Sequence, residues 1–423
     1  MDTLYSLNSL CRICHGNKIE DLIDFGEIAL TGIFEALGSD VPKTPMCLCR
    51  CCDCGLVQLK HKYNLNYLYS ENYGYESHLN LSMVDHLKNK ASELEKQYLI
   101  LNNGLKPQTV LDIASNDGTL LSGYSDNINY KIGIDPIINS LKDCYPVNTL
   151  KVKDFFSSNL YMENVKHSSD IVTSVSVLYD LEDPVKFASD IFKIVAPNGI
   201  WHLEQSYLIT MIENMSFDTI CQEHLLYFSL HDLKNILYSV GFQILSVDLN
   251  NINGGSIAIS AVKSQKQIAP PHNLVNLLIK EKEEGYIDGS KLKKFEKDLK
   301  NHISDLQKLL EKYYLDGFII FGLGASTKGN VLLQSLKYDI MNFTAIGDIN
   351  PKKFGKKTPG TNILIVPEYQ VLDNPKNSVS VVLPWHFSDG IIKKSERYIE
   401  NGGTIIVPFP KIKIYNKINY SSF

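Results

Sequence analysis

The sequence predicts an α/β protein in three parts: a cysteine-rich N-terminal module, a central doubly wound domain and a second α/β domain at the C-terminus. Two runs, 110–121 and 317–330, are each typical of a buried strand, a small-residue turn and a helix start. The third observation is the crowding of cysteines before residue 55. At 423 residues the chain exceeds the roughly 250 to 300 residues that one core holds. We expect the N-terminal module over 1–72, the central domain over 73–270, a helical connector over 271–313 and the C-terminal domain over 314–423.

The cysteines of the N-terminal part predict a metal site. Two C-x-x-C pairs in a chain without a signal peptide favour tetrahedral zinc over disulfides, because each turn directs two thiolates toward one ion. Cys11 and Cys14 form the first pair. The second pair is either Cys51 with Cys54 or Cys49 with Cys52, and Gly55 favours the former because it supplies a positive φ. Four thiolates leave no open coordination position, so this zinc is expected to be structural.

The central strand-turn run, Val110-Leu-Asp-Ile-Ala-Ser-Asn-Asp-Gly, predicts a nucleotide site with unusual chemistry. A pyrophosphate site needs glycine-rich spacing here, whereas two carboxylates in this turn would repel phosphate. The turn therefore favours a cationic ligand without phosphate. The next strand ends in a carboxylate suited to a ribose diol. The expected cofactor-binding residues are Asp112, Ala114, Ser115, Asn116, Asp117, Gly118, Asp135, Asp154 and Phe155.

One acid-histidine pair, Glu223 beside His224, lies in an aromatic setting with Tyr227 and Phe228. Histidine titrates near neutrality, so His224 is the expected general base. The alternative is a histidine at a helix start whose hydrogen bonds are satisfied by its own neighbours. Asp180 follows a buried strand whose carboxyl end should face the same crevice.

The C-terminal strand-turn run, Gly-Leu-Gly-Ala-Ser-Thr-Lys-Gly, predicts an anion site. Backbone amides, hydroxyls and one ammonium suit a diphosphate. The expected substrate-binding residues are Ser326, Thr327, Lys328, Asn330 and Asp348.

Composition excludes several classes of partner. A net charge of -5, with 42 basic and 47 acidic residues intermixed, gives no footprint for nucleic acid or an anionic membrane. No apolar run approaches the roughly 20 residues of a membrane span. We expect a cytoplasmic protein, either a monomer or a small homo-oligomer.

The acidic turn is similar to the first motif of class I methyltransferases, whose ligand is S-adenosylmethionine (SAM). The whole chain resembles the zinc-containing, SAM-dependent C-methyltransferases that act on nucleotide-linked 4-keto deoxysugars. The resemblance rests on the order of the motifs: the two cysteine pairs, Tyr-Gly-Tyr, the acidic turn, Glu-His-x-x-Tyr-Phe, Gly-Gly-Ser, Gly-Ala-Ser-x-Lys-Gly and Thr-Pro-Gly. It implies a central SAM domain and a C-terminal domain for the nucleotide diphosphate. It also implies that His224 is the base, with Glu223 and Tyr75 alongside.

The sequence departs from the better-known members of that family at three positions. Cys221 replaces a tyrosine, Asp180 a histidine, and Asn253 a histidine that often precedes Gly-Gly-Ser. The expected function is methylation of a keto-deoxysugar, in the biosynthesis of a surface polysaccharide or natural product. His224, polarised by Glu223, is expected to remove the α-proton and form an enolate that takes the methyl group. The alternatives are an O-methyltransferase on the same scaffold and a nucleotide-sugar-binding protein without turnover.

Overall fold

The computed structural model describes residues 3–35, 40–64, 68, 75–138, 142–336 and 343–419. Tyr73 and Gly74 of the Tyr-Gly-Tyr motif, and the expected boundary at 72/73, lie outside these residues. Within the described residues of the N-terminal module, β2 and β3 pair in antiparallel fashion between the two cysteine pairs. The strands here are β1 (Tyr5–Leu7), β2 (Ile19–Ala29), β3 (Lys43–Cys51), β4 (Val57–Leu59) and β5 (His61–Tyr63).

The central domain is built on a sheet of seven strands. The parallel strands follow the order 3-2-1-4-5 of a doubly wound fold, and an antiparallel hairpin extends one edge. In β6 and over residues 199–205 of β10, the side chains are buried on both faces of the sheet. The sheet strands are β6 (Thr109–Ile113), β7 (Tyr130–Ile134), β8 (Leu150–Val152), β9 (Ser169–Val175), β10 (Val195–Ser206), β12 (Gln243–Asn250) and β13 (Ser256–Val262). The helices are Leu81–Leu101, Ser158–Asn164, Pro184–Ile194, Leu208–Glu213 and Leu230–Ser239.

The helix expected directly after the acidic turn is absent, and the prediction was wrong at this point. A single 3₁₀ turn, Leu121–Gly123, takes its place. The helix Leu81–Leu101 crosses this position so closely that a Cβ on Gly123 would lie 2.6 Å from the Cα of Lys88. Tertiary packing therefore leaves no room for a regular helix here.

The connector consists of two helices, His272–Glu283 and Ser290–Leu315. The buried Glu281 of the first accepts hydrogen bonds from the amides of Leu230 and His231, at 2.6 and 2.9 Å. The connector thereby caps a helix of the central domain, because those amides belong to its unpaired first turn. Among the described residues, no helix has the length and apolar character to cross a bilayer.

The C-terminal domain has a six-stranded sheet in the order β16-β15-β14-β17-β18-β19, parallel except at the last strand. Its strands are β14 (Ile319–Leu323), β15 (Phe343–Asp348), β16 (Ile365–Pro367), β17 (Ser378–Val382), β18 (Thr404–Val407) and β19 (Lys413–Tyr415). Its helices are Thr327–Ser335, Glu368–Leu372, Ser388–Lys394 and Glu396–Glu400.

One short strand of the central domain leaves its own sheet. The strand β11 (Leu226–Tyr227) pairs with β4, so it forms the edge of the N-terminal four-stranded sheet. The Glu223-His224 pair lies just before β11 in the chain. The N-terminal module therefore fixes the backbone beside the expected base.

Candidate active site

The four cysteines predicted to bind zinc converge on one point. The Sγ atoms of Cys11, Cys14, Cys51 and Cys54 all lie within 4.8 Å of one another. The Cys11–Cys54 and Cys14–Cys51 separations are 3.5 and 3.6 Å, close to the ~3.8 Å edge of a tetrahedral thiolate site with bonds of about 2.3 Å. Such a donor set suits a structural zinc.

The structure also decides between the two candidate second pairs. Cys49 is buried in β3 and its thiol donates to the carbonyl of Gln58 at 3.3 Å, while Cys52 is exposed. Gly55 has the positive φ of 91° that the Cys51–Cys54 turn requires, and its amide donates to the Cys51 carbonyl at 2.9 Å. The pair at the metal position is Cys51 and Cys54.

The acidic turn after β6 is held in an unusual backbone conformation. Ala114, Asn116 and Gly118 have φ values of 55°, 50° and 86°, a left-handed region that is costly for residues with a Cβ. The ring of Tyr145 lies directly over Gly118, where a Cβ would come within 2.4 Å of it. The Tyr145 hydroxyl donates to the Asn116 carbonyl at 2.8 Å and lies 2.7 Å from Ser115 Oγ.

The carboxylate at the end of β7 fastens this turn. Asp135 accepts from the amide of Asn116 at 2.9 Å and from that of Ile137 at 2.8 Å. Asp112 lies fully buried beneath the turn, and burial raises its pKa to about 7 in spite of a 2.6 Å hydrogen bond from Thr173. Asp154 and Phe155 are exposed beyond β8, at the same edge of the sheet.

Asp117 is not exposed at the mouth of the turn, as a direct ligand contact would require. Its side chain is 0% exposed, and Oδ2 accepts from the backbone amide of His78 at 2.8 Å and contacts the His78 ring nitrogen Nδ1 at 2.9 Å. Its other oxygen accepts from Thr119. The Asn116 side chain bonds to Tyr75 and Ser77. The turn therefore holds the segment 75–78 across itself.

The side chain of His224 is oriented by a backbone carbonyl. Its Nδ1 lies 2.8 Å from the Thr219 carbonyl oxygen, which can only accept, so neutral His224 carries its proton on Nδ1 and leaves Nε2 as a base. Burial lowers the pKa of His224 to about 4, so the ring is neutral at pH 7. The expectation that Glu223 polarises His224 is corrected here, because the Thr219 carbonyl fills that role.

Glu223 is buried next to His224 in the chain, and its Oε1 has no hydrogen-bond partner among the described residues. Burial raises the pKa of Glu223 to about 7. Its carboxylate fits against Gly32 of the N-terminal module, where a Cβ would lie 1.9 Å from Oε1. Only glycine at position 32 leaves space for this carboxylate.

The aromatic and acidic residues expected near the base do gather around it. The rings of Tyr179 and His224 have centroids 4.2 Å apart. Asp180 follows Tyr179. Burial, and then the charge of Asp180, raises the pKa of Tyr179; burial, and then the charges of Glu223 and Asp180, raise the pKa of Cys221. Tyr75 lies beside Tyr179; it is 43% exposed, yet desolvation of its hydroxyl raises its pKa to about 12.

The C-terminal turn has the geometry expected for a helix start. Ser326 is the N-cap, and its hydroxyl accepts from the Gly329 amide at 3.0 Å. Thr327 begins the helix. The ammonium of Lys328 reaches back to the central domain and donates to the Asn253 carbonyl at 2.6 Å. This turn therefore faces the cleft between the two α/β domains.

Two of the expected substrate-binding residues use their side chains in hydrogen bonds within the protein. Asn330 is 0% exposed and donates to the Thr31 carbonyl at 2.7 Å. Asp348 accepts from the amides of Ala325 and Asn350, both at 2.7 Å. This is the same device as Asp135 in the central domain. We therefore assign Asn330 and Asp348 to shaping the turn rather than to contacting substrate.

Several residues that matter for the site carry no sequence pattern. Gln222 and Thr219 hold the segment around His224, and Tyr145 covers the acidic turn. Asp218, Trp385 and Gly32 adjoin the site from three different parts of the chain. Their proximity depends on the arrangement of domains, which no local motif encodes. Among the partners of the acidic turn, His78 could have been found, because it ends the polar segment Tyr-Gly-Tyr-Glu-Ser-His.

The fold and the acidic turn define a SAM-dependent methyltransferase with a structural zinc, and comparison with known proteins supports this. Residues 84–247 match the methyltransferase domain family, residues 11–69 a zinc binding domain family, and residues 251–410 the C-methyltransferase C-terminal domain family. The chain belongs to the zinc-containing, SAM-dependent C-methyltransferases.

A curated relative and two solved structures show the extent of the similarity. The C-methyltransferase NovU of Streptomyces niveus is 25% identical over 420 residues, which cover 96% of each chain. The plantazolicin methyltransferase BpumL in complex with S-adenosylhomocysteine (SAH) is 10% identical, covering 43% of this chain and 85% of its own, with a TM-score of 0.36. The magnesium protoporphyrin IX methyltransferase of Synechocystis PCC 6803 is 15% identical, covering 43% and 82%, with a TM-score of 0.32.

Proposed function

We propose that this C-methyltransferase acts on a nucleotide-diphosphate-linked keto-deoxysugar and methylates the carbon next to the ketone. The observation that carries the proposal is the His224 geometry. A partly buried, neutral imidazole whose Nδ1–H is fixed by the Thr219 carbonyl presents Nε2 as an acceptor in a site walled by Tyr179. Such a group suits removal of a weakly acidic C–H proton.

The residues around the base have separate tasks in this mechanism. His224 Nε2 takes the α-proton, and the C–H electron pair passes into the enolate. The Thr219 carbonyl keeps the tautomer and stabilises the imidazolium that results. Tyr179 and Tyr75 exclude water from the reacting carbon. SAM, when bound at the acidic turn, supplies an electrophilic methyl group.

The turn Ser326–Lys328 supports a nucleotide diphosphate at the facing side of the cleft. It opens the helix Thr327–Ser335, whose N-terminus carries partial positive charge. The central turn has the opposite character, since Asp112 and Asp117 lie beneath it. The C-terminal domain is thus suited to an anionic ligand, and the central domain to a cationic ligand.

Two other functions use the same scaffold. An O-methyltransferase would need His224 to deprotonate a sugar hydroxyl and would form no enolate. A nucleotide-sugar-binding protein without turnover would not need a base of fixed tautomer. The enolate function is favoured over the latter because burial keeps His224 in its basic form at neutral pH.

The test is incubation of the chain with SAM and a panel of nucleotide-linked 4-keto-6-deoxysugars and their 4-hydroxy counterparts. Turnover to SAH with a keto sugar, together with exchange of the α-hydrogen for solvent deuterium, is the expected result. Methylation of the hydroxy sugars without α-exchange would establish the O-methyl function. The absence of both turnover and exchange with every one of these sugars would contradict the proposal.

The base is tested by His224→Ala in the same assay. Because positioned bases contribute roughly 10²- to 10⁴-fold, kcat should fall by that factor while both ligands still bind. Deuterium exchange should fall in parallel, because both steps share the enolate. Full exchange in this variant would assign the base to Tyr75 or Asp180.

A further inference from the structure

The side chain of Lys328 points away from the helix N-terminus where a phosphate would bind. Its ammonium leaves the helix start and donates to the carbonyl oxygen of Asn253, in the central domain, at 2.6 Å. Asn253 adopts a left-handed conformation, with φ of 54°, so that its carbonyl is presented to the cleft. An ammonium has three N–H donors, and this contact uses one of them.

The helix that carries Lys328 packs on the turn that holds the base. That turn, Phe217–Thr219, contacts the helix Thr327–Ser335 and supplies the carbonyl that orients His224. The cation and the base are therefore fixed relative to each other by one short segment. In agreement, the charge of Lys328 lowers the pKa of His224, after the larger effect of burial.

Two further polar atoms at this place have no hydrogen-bond partner among the described residues. Asp218 is 0% exposed; its Oδ2 accepts from the Trp385 indole at 3.0 Å, whereas its Oδ1 has no hydrogen bond. The Nδ1 of His386 is likewise buried without a partner. No carboxylate oxygen in the described part of the chain lies within 4.0 Å of Lys328 Nζ. Burial raises the pKa of Asp218 to about 6 and lowers that of His386, and the charge of Lys328 lowers both, so the three groups lie close together.

We propose that the Lys328 ammonium binds the ketone oxygen of the sugar and stabilises the enolate that forms when His224 takes the α-proton. This deepens, and rests on, the proposed function. The C–H pair becomes the C=C bond, the carbonyl π pair moves onto oxygen beside Lys328, and the carbon then takes the methyl group as the S–CH₃ bond breaks. The proton leaves on His224 and SAH is released.

The physical reason is the desolvation of the Lys328 ammonium. A cation held beside a developing negative charge in a buried site acts strongly, because water does not screen it and no reorganisation is needed. Desolvation lowers the pKa of Lys328, while the charge of Asp218 raises it and so helps keep the ammonium protonated. The diphosphate then relies on the backbone amides at the Ser326–Thr327 turn.

The experiment separates catalysis from binding with Lys328→Met, which keeps the aliphatic stem and removes the charge. We expect kcat and α-deuterium exchange to fall by roughly 10²- to 10³-fold, as for loss of one donor to a developing oxyanion. The Kd values for dTDP, UDP and GDP should stay within about 3-fold of wild type. The control is Lys393→Met, an exposed lysine of the same domain, which should leave all of these values unchanged.

Unchanged kcat and exchange, with weaker binding of these diphosphates, would overturn the inference and make Lys328 a phosphate anchor. Wild-type protein that neither exchanges nor methylates any keto sugar would instead contradict the proposed function itself.

If Lys328→Met does not fold, Asp218→Asn tests whether the Lys328 ammonium acts in catalysis. The titratable groups around the ammonium are Asp218, Cys221, His224 and His386. Without the charge of Asp218 the pKa of Lys328 falls, so the alkaline limb of kcat should move to lower pH; an unmoved limb would count against Lys328.

Discussion

The Thr31 hydroxyl of the N-terminal module donates a 3.3 Å hydrogen bond to Oε1 of Gln222, two residues before His224. The side-chain Nε2 of Gln222 donates to the Ile28 and Ala29 carbonyls and to the Thr44 hydroxyl, at 3.3 to 3.4 Å. The carbonyl of Thr31 in turn accepts from Asn330 of the C-terminal domain. One loop of the zinc module therefore bonds to both α/β domains beside the base.

Loss of zinc should abolish methyl transfer without abolishing SAM binding. The zinc cluster anchors β3 and β4, which hold Gln222 and β11, so its loss frees the segment that carries His224. We expect one zinc per chain by elemental analysis. Cys11→Ser should lose zinc and kcat, while calorimetry shows SAM affinity near wild type. Cys52→Ser, at an exposed cysteine outside the cluster, is the control. A zinc-free protein with full kcat would contradict this account.

Gly32→Ala should reduce kcat although position 32 is far from the base in sequence. The added Cβ would lie 1.9 Å from Glu223 Oε1, so the carboxylate and the adjoining His224 must shift. We expect a fall in kcat of at least about 10-fold, as misplacement by about 1 Å can cost 10²-fold. Gly390→Ala, where nothing lies within 4 Å of the new Cβ, serves as the control. Equal kcat in the two variants would show that Glu223 tolerates displacement.

The acidic limb of kcat/KM should lie unusually low. His224 has a pKa of about 4 because burial, and then the Lys328 charge, disfavour the imidazolium. The base is lost only as pH falls through about 4, whereas an ordinary histidine loses it through about 6.5. A pH-rate profile should therefore stay flat between those values as far as His224 is concerned. Glu223, with a pKa of about 7, titrates inside that window, so the profile is best measured in Glu223→Gln as well. A limb near 6.5 in both proteins would show that His224 is solvated.

Asp117→Asn should weaken SAM binding indirectly. The carboxylate holds His78 by both its backbone amide and its ring, and so keeps the segment 75–78 across the turn. Loss of one charge-assisted contact is worth roughly 1.5 to 3 kcal/mol, so Kd for SAM should rise about 10- to 100-fold. Asp126→Asn, at an exposed position in the same domain, should leave Kd unchanged. A normal Kd for Asp117→Asn, measured by calorimetry, would separate the segment 75–78 from SAM binding.

The two α/β domains share a structural feature, a carboxylate after the second strand that accepts from backbone amides. The sequence showed the position of each carboxylate but not its partners. Asp135 follows β7 and Asp348 ends β15, and each carboxylate accepts from an amide of the neighbouring turn and from the amide two residues ahead. Strand alternation and small-residue turns are local properties, so the sequence revealed them. The hydrogen-bond partners of the two carboxylates depend on which strands are neighbours in each sheet. The sequence did not reveal this order.

The sequence by itself determined the α/β class, the cysteine cluster with its metal chemistry, and the opposite charge of the side chains in the two small-residue turns. Each depends on residues close together in the chain, where spacing fixes geometry. Only the tertiary structure decided that Thr219 rather than Glu223 orients His224, that Gly32 and Gln222 serve the site, and that Lys328 reaches the cleft beside the base. These contacts join segments up to hundreds of residues apart. Their existence follows from how three folded units pack, and a local pattern of side chains carries no information about that packing.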